Sequence, residues 1–250
     1  MKWINTLLNI RTLGIITIGL VSCFLAIHYQ IKIHQNMVLF GLIISFPLVF
    51  SLQSAFKRRE RALEYLAVYK AGYLAVAESF RMSKKLSEPN RISIRQIMLK
   101  ANLDFFAYLK NRTGKQSEIN YVFSQITEFM FTHKEEMSSK AMFRITRYMK
   151  EVNNSISYLM SLKTHRTVNL IRLFSNIFIC LFPILQACLL VDAFGKNMPN
   201  QLIYLISIFS SVTLGTLLQI QRQLEDPFDQ DGYDDIKLEE FSSVENPQSN

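Results

Sequence analysis

The chain has 250 residues, 28 Lys or Arg against 20 Asp or Glu, and a net charge of +8. Nearly half of it is hydrophobic (49%), and those residues gather near the two ends and leave the middle charged. That distribution excludes a single soluble core with evenly mixed surface and points to membrane helices flanking a polar insert.

A bilayer core needs roughly 20 apolar residues per helix. Four segments approach or meet this: 13–29, 37–55, 173–191 and 202–220. Lys2 and Arg11 ahead of the first resemble a signal peptide, and Leu20-Val21-Ser22-Cys23 a lipoprotein cleavage box. The apolar run continues past Cys23 and a second one follows, so a plain first membrane helix is the expectation. Cys23, Cys180 and Cys188 all fall in these segments and are expected as small buried hydrophobes.

The second segment continues without Gly or Pro through Phe56-Lys57-Arg58-Arg59-Glu60-Arg61, so one helix is expected to run on to about Leu86. Glu88-Pro89-Asn90 is expected as a turn. A second helical face follows in Ile94, Ile97, Met98, Ala101, Phe105 and Tyr108, ending at Asn111-Arg112-Thr113-Gly114. A third holds Ile119, Val122, Phe123, Ile126, Phe129 and Met130. The fourth starts near Ser138 with Ala141, Ile145, Tyr148, Met149, Val152, Ile156 and Leu159. Spacings of three and four residues throughout make the insert all helical.

From Lys57 to Arg172 there are twenty-two Lys or Arg against ten Asp or Glu, a net of +12. The short 30–36 and 192–200 connections carry only Lys32 and Lys196, the latter beside Asp192. The positive-inside rule then puts the insert and both termini in the cytoplasm, in a cell (inner) membrane. The sequence reads as an all-α integral membrane protein with four transmembrane helices and a helical cytoplasmic domain inserted between the second and third. Its expected divisions are 1–56, a first transmembrane pair; 57–166, the cytoplasmic domain; 167–221, a second pair; and 222–250, an acidic tail. That tail carries nine acids against Arg222 and Lys237, a net of −7, and electrostatics would fold it onto the basic domain of its own or a neighbouring subunit. The last eight or so residues read as a solvated spacer.

No enzyme constellation emerges: no phosphate-binding glycine loop, no His, Cys or carboxylate set at metal spacing, no nucleophile with a base. The positive charge is scattered over several helices, which argues against nucleic acid and suits anionic lipids or small anions.

The second membrane helix is the most informative stretch. Phe46, Phe50 and Ser54 lie at i, i+4 and i+8 on one face, with Leu42 or Ile43 a turn before and Gln53 beside them. From composition alone that face meets lipid or neighbouring helices as readily as a pore. Pro47 is expected to loosen the helix one turn earlier.

The run Phe46-Pro47-Leu48-Val49-Phe50-Ser51-Leu52 resembles the pore-neck helix of bestrophin anion channels. The order of membrane pair, helical insert, membrane pair and acidic segment is similar, and Glu225-Asp226-Pro227-Phe228-Asp229 through Asp235 resembles the segment after the last bestrophin membrane helix. The resemblance spans most of the chain in order, although two short stretches carry it residue by residue. It implies a homo-oligomer, a pentamer, conducting chloride or other small anions. Its pore would be lined by Leu42, Phe46, Phe50, Gln53 and Ser54, in one of two registers: Phe46, Phe50, Ser54 or Leu42, Phe46, Phe50. Ser54 departs from the aromatic residue usual at the third neck position. The resemblance also implies Ca2+ as a possible cofactor, with Asp231 and Asp234 as ligands; otherwise these acids clasp subunits together. The rival expectation is a non-conducting membrane scaffold whose cytoplasmic helices bind a protein partner.

Overall fold

The computed structural model describes residues 10–34, 37–110, 115–165, 169–194, 199–230 and 235–242, leaving aside the side chains of 37, 40, 43–45 and 169–172. The described residues form α1 (Ile10–His28), α2 (Met37–Arg81), α3 (Glu88–Lys110), α4 (Gln116–Thr132), a 3-10 turn (Lys134–Glu136), α5 (Ser139–Thr164), α6 (Asn169–Phe194), α7 (Asn200–Glu225) and a single turn α8 (Glu239–Ser242). They divide into two compact units, one of residues 1–57 and 166–225, the other of 58–165 and 226–250. The expected helix end at Asn111–Gly114 and the last eight residues lie outside the described residues.

In the first unit α1 packs on α6 and α7, and these two pack on each other. One apolar cluster joins Cys23 and Ala26 to Ala187, Leu190, Val191 and Ile203; another joins Ile15 to Ile179, Leu214 and Leu218. The pairings make α1 parallel to α6 and antiparallel to α7. Small residues permit the close approach: a methyl group at Gly215 would stand 2.7 Å from Thr12 Cγ2, and Ser207 Oγ donates to the Gly19 carbonyl at 3.3 Å. Such contacts suit helices that meet in lipid, where close packing and hydrogen bonds replace hydrophobic burial as the source of association.

Three helices are long and apolar enough to cross a membrane among the described residues: Ile10–His28, Leu173–Phe194 and Asn200–Glu225. The fourth expected span, 37–55, is helical along its whole length, but several of its side chains lie outside the described residues. Cys23 is buried as expected, Cys188 is half-buried, and Cys180 is exposed on α6.

The second unit is built on the amphipathic faces read from sequence. Ile94, Met98, Ala101 and Phe105 of α3, Ile119, Phe123, Ile126, Phe129 and Met130 of α4, and Ala141, Ile145, Met149, Val152, Ile156 and Leu159 of α5 enclose the α2 stripe Ala62, Leu66, Tyr69, Tyr73, Val76 and Phe80. Tyr69 is the hub, with ring centroids at 4.8 Å from Phe105 and 5.7 Å from Phe106. Its hydroxyl donates to Asn102 Oδ1 at 2.9 Å, and burial holds it well above the usual tyrosine range. Ser138 caps α5, its Oγ accepting from the Ala141 amide at 3.2 Å.

Two expectations need correction. The α2 helix ends at Arg81 rather than near Leu86, because the chain tightens through Ser83 N–H to Phe80 O and buries Leu86 in the core. Glu88-Pro89-Asn90 is the first turn of α3 and not a separate turn. A proline there gives up only an amide that has no helical partner, so it starts a helix as readily as it breaks one. The reversal sits just before, in residues 82–87. It is held by Glu136, whose carboxylate accepts from the Ser87 amide and from Asn90 Nδ2, both at 2.9 Å.

The acidic segment is fixed chiefly by apolar side chains. Phe228, Ile236 and Leu238 are buried in the core of the second unit, and Phe228 is 1% exposed. Ile236 N–H returns to Pro227 O at 3.0 Å, and Gln230, in the left-handed region at φ 61°, donates from Nε2 to Ile236 O at 2.7 Å. Asn102 Nδ2 donates to Ser242 O at 3.0 Å, and Lys70 Nζ to Glu240 O at 2.7 Å. Charge contributes through Lys163, which donates to the carbonyls of Tyr108 and Leu109 at the end of α3. Burial pulls its ammonium below the usual lysine range, and Asp226 and Asp229 push it back up.

Two predictions follow from this packing. Phe228→Ala empties a fully buried site and should cost about 3–5 kcal/mol, within the usual range for such truncations; limited proteolysis should then cut between α7 and α8 while native protein resists. The second concerns Glu136, whose carboxyl is held below its ordinary range first by the Ser87 amide and then by Asn90. A depressed acid stabilises the fold above its unfolded pKa, about 4.3, and that contribution is lost as pH falls through the folded value. Glu136→Gln should therefore melt below native protein at pH 7, with the gap closing towards pH 3 in thermal scans.

Candidate functional site

Helix α2 offers two different sides to its surroundings in the first unit. Ser51 and Ala55 are buried, and Leu48 packs against the cluster of Ile15, Ile179, Leu214 and Leu218. Pro47 and Leu48 border a small crevice with Phe174, Ser175, Phe178 and Ile179 of α6. The helix continues uninterrupted through Pro47. The ring removes one amide donor, while the turns on either side retain theirs.

The opposite side is uncovered. Leu42, Phe46 and Phe50 are 49%, 54% and 63% exposed, and Gln53 and Ser54 are exposed beside them. The structure brings Phe46 and Phe50 together, their ring centroids 6.2 Å apart and their planes within 19° of parallel. Leu42 stands one turn before this pair and Gln53 and Ser54 one turn after. Val49, 59% exposed, flanks them and was not singled out from sequence; extending the same helical periodicity would have found it. No acidic or basic residue occurs in α2 before Lys57. The uncovered side is thus an aromatic and aliphatic stretch a little over two turns long, followed by an amide and a hydroxyl, then by positive charge.

At one end of this unit His34 Nδ1 and Asp192 Oδ2 meet at 2.7 Å. The connection after α1 and the end of α6 therefore lie on the same side of the bundle, as the two short expected loops require. His28 stacks on Phe24 with ring centroids 5.8 Å apart.

Asp231 and Asp234 lie outside the described residues. Among the described residues no group of three or more His, Cys, Asp and Glu is placed to hold a metal ion.

No family model matches the chain, and no curated protein matches it in sequence. Solved structures do match. A crystal structure of a bacterial bestrophin homologue from Klebsiella pneumoniae, carrying one substitution, has a TM-score of 0.76 at 15% identity, covering 93% of this chain and 95% of that one. A second variant of the Klebsiella pneumoniae homologue gives 0.75 at 14%, covering 93% of each chain. A crystal structure described as a membrane protein gives 0.78 at 15%, again with 93% of each covered. The chain thus has the bestrophin-like fold of an all-α membrane protein.

Proposed function

We propose that this protein is an anion-selective channel, a homopentamer that conducts chloride or other small anions through a pore lined by α2 of each subunit. The observation that carries the reading is the uncovered side of α2. In a chain with the bestrophin-like fold, the helix whose sequence resembles the bestrophin neck buries Ser51 and Ala55 in its own subunit and leaves Leu42, Phe46 and Phe50 exposed. Five such faces around an axis cover one another and enclose a narrow apolar neck.

The chemistry of that neck follows from its side chains. A constriction lined by phenylalanine and leucine empties of water readily and so gates by dewetting. An aromatic ring has a positive edge, so Phe46 and Phe50 turned edge-on can accompany an anion that has shed part of its water. Gln53 can donate an N–H to the same ion as it leaves. The net +12 charge of the 57–172 region, cytoplasmic by the positive-inside rule together with both termini, raises the local anion concentration on that side of the membrane. Anionic lipid headgroups are the fitting neighbours for basic residues where helices leave the membrane. The membrane itself is a cell (inner) membrane in this reading.

The test is planar-bilayer recording of the purified full-length oligomer in a chloride gradient. A reversal potential near that of chloride, from a particle with five subunits, is the expected result. A monomer or dimer without conductance would instead favour a membrane scaffold. Phe50→Ala should raise single-channel conductance severalfold or hold the pore open, and an unaltered current would remove this residue from the neck. Resemblance alone carries calcium binding by Asp231 and Asp234. If both are ligands, isothermal titration with Ca2+ should give heat that Asp231→Asn and Asp234→Asn together abolish, since hard carboxylate oxygens are what this ion requires.

A further inference from the structure

We infer that Lys57 sets the anion preference of this pore; the inference rests on the channel reading above. At 3.6 residues per turn, Phe46, Phe50, Gln53 and Lys57 fall at i, i+4, i+7 and i+11, within an arc of about 60° on α2. Ser54 falls about 80° from Phe46 by the same arithmetic, at the margin of the face. All four residues of the narrow arc are exposed, whereas Ser51 and Ala55, across the helix, are buried. The line along the middle of the uncovered face thus runs apolar, apolar, amide, ammonium.

Lys57 is also the first charge along this line. It makes no ion pair or hydrogen bond among the described residues. Its basic neighbours are differently placed. Arg58 donates to the Leu162 and His165 carbonyls, and Arg61 Nη1 lies 3.4 Å from Tyr158 Oη. An unengaged ammonium on a four-carbon stem is a mobile point charge, suited to transient attraction rather than to tight binding. Repeated in every subunit, it forms a cationic ring one turn past Gln53, where an anion regains water and a cation meets its strongest repulsion.

The experiment is the reversal potential of the reconstituted full-length channel in a sodium chloride gradient, for native protein, Lys57→Arg, Lys57→Gln and Lys57→Glu. Lys57→Arg should keep the native chloride-to-sodium permeability ratio. Lys57→Gln should lower it roughly fivefold and Lys57→Glu tenfold or more, as expected for loss or reversal of a ring charge in a narrow pore. Both shifts should shrink in about 1 M salt, where the screening length falls to about 3 Å. A native reversal potential in Lys57→Glu overturns the inference and leaves the channel standing; a non-conducting native oligomer overturns both. If Lys57→Glu does not assemble, Lys57→Cys in a Cys180→Ser background provides the same test. A cationic thiol reagent should then restore the native ratio and an anionic one invert it, and equal ratios under the two reagents overturn the inference.

Discussion

Arg58 stands where the helical insert closes on itself, its guanidinium giving hydrogen bonds to the carbonyls of Leu162 and His165 at the end of α5. The last carbonyls of a helix have no partner within it and carry its negative end, so a cation with several donors satisfies both needs at once. The consequence is topological. The chain enters the second unit at residue 58 and leaves it at residue 165, and the arginine keeps entry and exit side by side. The other end of the same unit is closed by a second charged group, Glu136, which holds the 82–87 reversal against the turn after α4. Between these two polar ends the core is mainly apolar, with the Tyr69–Asn102 hydrogen bond at its centre.

The acidic segment completes that core. Phe228, Ile236 and Leu238 occupy places that α2 to α5 leave open, and the hydrogen bonds from Asn102 and Lys70 then settle the short α8 turn. The attraction between a net +12 region and a net −7 tail brings the two together over distance, but exposed charges are screened and contribute little once in place. Three buried side chains decide where the segment rests.

Helical periodicity made most of the second unit legible, since residues three and four apart share a face whatever the tertiary setting. The apolar blocks gave the membrane helices by their length, since a bilayer core needs roughly 20 apolar residues. Proline was ambiguous: Pro89 begins a helix, while Pro47 lies inside one without ending it, and only neighbouring packing separates the cases. The tail anchors were hidden by the acids around them. The Tyr69–Asn102–Ser242 chain joins residues far apart in sequence, which no local pattern encodes. On α2, Phe46 and Phe50 stood out because proline and aromatics mark them. Lys57 did not, because a lysine after an apolar stretch reads first as a sign of membrane orientation.

The bond between His34 and Asp192 reaches beyond its own loop. It ties the link that follows α1 to the last turns of α6, two places more than 150 residues apart. With both links on one face, each hairpin of the bundle enters and returns as a unit. An insertion that reversed one hairpin would carry Asp192 or His34 to the opposite face and leave its partner behind. A single imidazole–carboxylate contact thereby acts as a parity check on how the chain is threaded.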